Sequence, residues 1–204
     1  MKKIILIIII ISTFIFSFSL DEVLVDVESV NYRLENIFLF SGTFLLDGYV
    51  NSLDLSMFNN VIIEKINSMG ELDFLTFLGI TSFLVCFDDP YTSFTMVESV
   101  GFTSVITYSL KMIIGRGRPN SYEKPFVFNF FSFEGKNHSF PSGHSAFAWA
   151  LFTPIAERYG DFFYLVPFLF SFSRLVGNYH WLSDVVFGAL IGYSIGKSFY
   201  ITSR

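Results

Sequence analysis

The chain has 204 residues, of which 52% are apolar and only 15% charged, with a formal net charge of -5. A soluble domain averages roughly 25% charged residues, so composition excludes a disordered, collagen-like or low-complexity chain and argues against an ordinary well-hydrated cytosolic enzyme. A pI near 5.1 and a mean hydropathy of +0.54 leave no basic stripe for nucleic acid, and the length suits one domain with a sizeable core. The chain opens with Lys2 and Lys3, an apolar run over residues 4–18, and small residues Ser17 and Ser19 at -3 and -1 to a cut before Leu20. This is the layout of a secretory signal peptide. An uncleaved membrane anchor is the alternative, for which the run is short of the roughly 20 residues needed. Either way residues 1–19 target the chain to a membrane, and residues 20–204 form the domain.

Residues 38–46 are apolar and end at Asp47-Gly48, a turn signal. Residues 53–68 read as an amphipathic helix with Leu55, Phe58, Ile62, Ile63 and Ile66 on one face. A second helix over 72–87 stops at Asp88-Asp89-Pro90, read as a solvated turn. The single cysteine, Cys86, lies in this apolar run and reads as a small buried hydrophobe; one thiol builds neither an intrachain disulfide nor a thiolate metal site. A further helix covers 96–114, a long aromatic loop 120–140, and three more helices 142–159, 161–176 and 182–198. No alternating period long enough for a sheet appears, and there is no internal repeat. The expected fold is an all-α bundle of about six helices. Asp73, Lys111, Arg174 and Lys197 interrupt or edge the apolar stretches, and such charges are expensive in lipid unless they face a site. Membrane association is expected, with spanning and peripheral attachment both open.

Three segments concentrate polar residues: KMIIGRGRP at 111–119, PSGH at 141–144 and SRLVGNYHWLSD at 173–184. Lys111 and Arg118 stand about two helical turns apart, so they share one side of a helix that frays at Gly115 and Gly117. Pro119 turns Arg118 away from helical geometry. Pro141 and Ser142 suit a helix start, where free N–H groups near Gly143 face an anion. His180 and Asp184, four apart, share a helical face, and the carboxylate sets the imidazole tautomer. Arg174 adds a third cation. Three cations, a helix N-terminus, His144, His180 and an orienting acid match a tetrahedral oxyanion and supply a nucleophile and a proton donor.

These segments resemble the signature of the type 2 phosphatidic acid phosphatase superfamily, shared with vanadium haloperoxidases and bacterial acid phosphatases. The pattern is Lys, six residues, Arg-Pro; Pro-Ser-Gly-His; then Ser-Arg, five residues, His, three residues, Asp, and every fixed position is matched from Lys111 to Asp184. Residues 20–100 carry no signature. The resemblance implies that His180 attacks phosphorus, Asp184 holds its tautomer, and His144 protonates the leaving oxygen and then activates water. It implies that Lys111, Arg118, Arg174, Ser142 and the Gly143 N–H bind the phosphoryl oxygens. Hydrolysis in this family needs no metal or other cofactor. The expected function is therefore a metal-independent phosphatase for a phosphate monoester or pyrophosphate of an envelope lipid, working through a phosphohistidine at the non-cytoplasmic side of the membrane. A vanadate-dependent haloperoxidase and a non-catalytic anion-binding envelope protein are the alternatives. His138 has no counterpart in the pattern and reads as loop surface.

Overall fold

Helix boundaries fall where a side chain or a missing N–H competes with the helical ladder. In the computed structural model, which describes residues 34–202, seven α-helices occur and no strand is present among the described residues. They are α1 (Leu34–Ser52), α2 (Val61–Asn67), α3 (Glu71–Cys86), α4 (Pro90–Ile114), α5 (Gly143–Tyr159), α6 (Leu165–Val176) and α7 (Leu182–Thr202). The all-α class is as expected. The targeting segment, residues 1–19, lies outside the described residues.

Four local readings are corrected. The expected helix over 53–68 is split into a 3-10 turn, Ser56–Phe58, and the shorter α2, because the Asn60 side chain accepts from the N–H groups of Ile62 and Ile63 and caps a new helix there. Asp88-Asp89-Pro90 is not a solvated turn: Asp89 is buried, accepts from Thr92 N, and receives Arg158 Nε at 2.8 Å, while Pro90 opens α4 six residues earlier than expected. Asp47-Gly48 is not a turn but lies inside α1. Cys86 is exposed at the end of α3 rather than buried, because the inward face of that helix is carried by Phe74, Leu78 and Ser82.

α5 is the centre of the bundle and packs against α4, α6 and α7. Its contact with α7 is close because small residues face each other. Gly188, Gly192 and Gly196 stand four apart on α7, and a Cβ at Gly188 would lie 2.5 Å from Ser142 O, while one at Gly192 would strike Ala146 O. Buried Ala146, Ala150 and Thr153 form the matching face of α5. Ser145 then ties three helices, bonding to Ser171 of α6 at 2.7 Å and to Val185 O of α7 at 2.8 Å. Gly192→Ala is expected to force the two helices apart and destabilise the fold by about 1–3 kcal/mol. A thermal melt of the purified variant superimposable on wild type would show that the contact has slack.

The pairing of chain directions collects all motif segments at one end. α4 finishes, α5 begins, α6 finishes and α7 begins there. At the opposite end Arg158 pairs with Asp89 and Lys197 with Glu157, at 2.8 and 3.0 Å. α4 and α7 are long and apolar enough to cross a membrane, and α2 with α3 form a bent pair with a 106° break. Leu45, Phe83, Leu84 and Val105 point outward and are more than half exposed, as lipid-facing side chains are.

Candidate active site

α4 ends at Gly115, whose φ of 58° is left-handed and whose Cβ position is filled by Asn129 O, so only glycine fits. The chain leaves the helix there and pairs back through Arg116 and Phe128. Lys111 and Arg118 therefore do not share a helix side; one sits in the last turn of α4 and the other in the loop beyond. Both nonetheless reach the same place. Lys111 Nζ donates to His138 O at 2.9 Å and to Pro141 O at 2.6 Å, and Arg118 donates to Gly135 O and, at 3.4 Å, to His138 O. The 120–140 loop thus closes over the cations with its carbonyls. His138 is a half-buried member of that loop, with Nε2 2.8 Å from Ser132 O.

A cavity of about 450 Å³ opens at this end and is lined by Lys111, Arg118, Gly143, His144, Arg174 and His180. Six of the eight residues singled out in the sequence therefore converge on one space. The other two stand behind it. Ser142 is fully buried, its hydroxyl makes no capping bond, and its N–H donates to Asp184 O at 3.0 Å. Asp184 is fully buried, with Oδ2 3.7 Å from His180 Nδ1, longer than a hydrogen bond. That oxygen accepts from Ser139 Oγ at 2.5 Å and Trp181 N at 2.9 Å.

The remaining walls are mostly apolar: Phe74, Leu75, Leu78, Val100, Phe147 and Leu151 extend the cavity between α3, α4 and α5. Glu71 lies on its rim, accepting from Tyr108 Oη at 2.7 Å. The space therefore has a charged head and an oily body.

Residues absent from the sequence reading position the charged end. Arg174 donates to Asn67 Oδ1 at 2.8 Å and stacks its guanidinium 4.3 Å over the Tyr179 ring. His144 rests edge-on against Phe74, with Nε2 3.1 Å from Met69 O, which fixes the neutral ring's proton on that nitrogen. The α2–α3 junction thus supplies backbone and side-chain partners to two site residues. No spacing rule announced them, because each works through tertiary contact.

Electrostatics leave the site short of an anion. Burial, then Arg174 and the other cations, push the His144 imidazole down to about 3. Burial and the same cations hold His180 well below its ordinary value, so both rings are neutral at neutral pH. Burial and the neighbouring Arg118 bring Arg174 down to about 10, leaving it charged. In the unfolded chain the imidazoles take up protons near 6.5, so fold stability declines as pH falls below that value.

An all-α bundle with a cation-lined, imidazole-bearing cavity at one end is the class that fold and site define. The sequence matches the PAP2 superfamily over residues 92–204, more than half the chain. The chain belongs to that superfamily. It is 34% identical over 107 residues to a protein named lipid A 1-phosphatase from Rhizobium johnstonii, covering 50% of this chain and 42% of that one. It is also 33% identical over 102 residues to one of the same name from Rhizobium etli, covering 48% and 44%, and 39% identical over 70 residues to one from Porphyromonas gingivalis, covering 31% and 16%. The chain spans less than half the length of each of these relatives. No solved structure gives a significant match.

Proposed function

We propose that this protein is a metal-independent phosphatase that removes a phosphate monoester or pyrophosphate group from an envelope lipid through a phosphohistidine intermediate. The observation that carries this is that one cavity joins three cations and two imidazoles to an apolar extension. A phosphorylated lipid has the same two halves, a doubly charged head and an alkyl body. The relatives named lipid A 1-phosphatase make lipid A the first substrate to try.

In this reading Lys111, Arg118, Arg174 and the Gly143 N–H, a first-turn donor without an intrahelical acceptor, hold the phosphoryl oxygens. Ser142 supports them from behind through its backbone. Neutral His180 attacks phosphorus through Nε2, the nitrogen away from Asp184. The P–N bond forms as the P–O bond to the lipid breaks, and His144, which takes up a proton when the bound phosphate dianion offsets the neighbouring cations, delivers that proton to the departing oxygen and returns to the neutral form. Neutral His144 then takes a proton from water, which attacks the phosphohistidine and releases inorganic phosphate. Asp184 steadies the His180 ring as it gains charge. The apolar helices support a membrane-bound protein, and the targeting character of residues 1–19 supports a site that faces away from the cytoplasm.

The deciding experiment is phosphate release from phosphatidate, phosphatidylglycerophosphate, an isoprenyl pyrophosphate, lipid A and a soluble ester, with and without chelator. Release from at least one lipid, unaffected by chelator, is expected. Release that collapses with chelator overturns the metal-independent reading, and release from the soluble ester alone overturns the lipid reading. A bound phosphate dianion also offsets the cations that depress His144, so binding is expected to draw in protons near neutral pH. Calorimetry of phosphate binding in buffers of different ionisation enthalpy should show that uptake; identical heats in every buffer would refute it.

A further inference from the structure

Arg116 is a fully enclosed charge in the site region and belongs to no fixed position of the family pattern. Its side chain is fully buried, and every nitrogen is engaged. One terminal nitrogen donates to Asp184 Oδ1 at 2.7 Å and to Ser183 Oγ at 2.6 Å. The other donates to Asp47 Oδ2 at 2.7 Å and to Pro125 O at 2.8 Å. Asp47 is itself fully buried and accepts from the Ser183 N–H and hydroxyl at 2.8 and 2.6 Å. The guanidinium is flanked by the rings of Phe44, Phe128 and Trp181. Taking one guanidinium and two carboxylates out of water is costly, and a helix-interior aspartate in α1 gains nothing locally from burial. The arrangement instead fixes Asp184: Arg116 occupies one carboxylate oxygen, leaving the other, held by Ser139 and Trp181, beside His180.

We propose that Arg116 and Asp47 are positioning residues, forming a buried carboxylate–guanidinium–carboxylate relay that sets the orientation of Asp184 toward His180. The proposal rests on the reading of His180 as nucleophile. Asp47 lies outside the span of the family match, so the relay makes α1 a support of the site from beyond that span. Lysine cannot replace Arg116, since an ammonium has no planar fork with which to bridge two carboxylates.

The test uses the full chain in detergent and two substitutions that preserve side-chain size, Asp47→Asn and Arg116→Lys. Each is expected to lower kcat by about 10–100-fold while KM moves less than about threefold. In parallel, nitrogen-15 spectra of the imidazoles read the His180 tautomer directly; with three histidines in the chain, His180→Gln assigns the signal. Wild type is expected to hold one tautomer, with the proton on Nδ1, and both variants to show a mixture. A folded variant with unchanged kcat overturns the relay, as does a fall in kcat with the tautomer unchanged, because that effect comes through packing alone. Should wild type release no phosphate from any substrate, the nucleophile reading falls, while the tautomer measurement still decides the relay. If either variant fails to fold, Ser183→Ala removes only the hydroxyl between Arg116 and Asp47 and is expected to give a smaller change in the same direction.

Discussion

His180→Gln should abolish phosphate release, with a loss of about 10⁴-fold or more in kcat, while the protein still binds inorganic phosphate. The imidazole is neutral in the folded protein because burial and the surrounding cations oppose a second charge, so its free nitrogen is available for attack at neutral pH. Glutamine keeps a polar group of similar length but has no nucleophilic lone pair on nitrogen. The three cations and the start of α5 are untouched by the change, so phosphate affinity is expected to stay within a fewfold of wild type. Turnover at more than a few per cent of wild type would remove His180 from the nucleophile's place. Trapping wild type with labelled substrate and quenching at alkaline pH, where phosphohistidine persists, should give a labelled protein that His180→Gln does not.

Lys111→Met should cost about 10²–10³-fold in kcat/KM, the loss expected when one preorganised charge leaves an oxyanion site. It also removes two hydrogen bonds from a buried ammonium to the carbonyls of His138 and Pro141, worth about 2 kcal/mol or more. Those bonds join the end of α4 to the stretch that enters α5, so the variant loosens the loop over the site as well as the charge within it. Lys111→Arg should recover little, because a planar guanidinium does not fit between two carbonyls spaced for one compact ammonium. Measuring kcat/KM together with the melting temperature separates the effects. A variant that melts earlier yet keeps its kcat/KM would confine Lys111 to a structural role.

Much of the candidate site was readable because its residues gather in three polar segments of an apolar chain, and those segments together match a family pattern. Lys111, Arg118, His144, Arg174 and His180 fall in three short segments, and the structure lines one cavity with all five. What the sequence could not reveal depends on distant partners. Asp47-Gly48 has the local signature of a turn, but Asp47 is held in a helix by Arg116 and the Ser183 N–H, 69 and 136 residues away. Asn67 looks like the tail of an amphipathic helix and Met69 like the residue just past it, until Arg174 and His144 fold onto them. Arg116 sits two residues from a motif arginine in the same GRGRP run, and the pattern that singles out Arg118 says nothing of where Arg116 goes. Backbone geometry decides it: after the left-handed Gly115, Arg116 turns inward toward α1 and α7 while Arg118 borders the open space. Helix ends depart from the apolar rhythm where a cap outweighs it, as at Asn60 and Asp89.

The oily body of the cavity has a practical consequence for anyone handling the purified protein. Phe74, Leu78 and Leu151 would receive a surfactant's alkyl tail as readily as a substrate's. Solubilising agents therefore act as rivals for occupancy, and rates in short-tailed micelles should understate those in bilayer discs. Exchanging one medium for the other changes the competitor along with the environment.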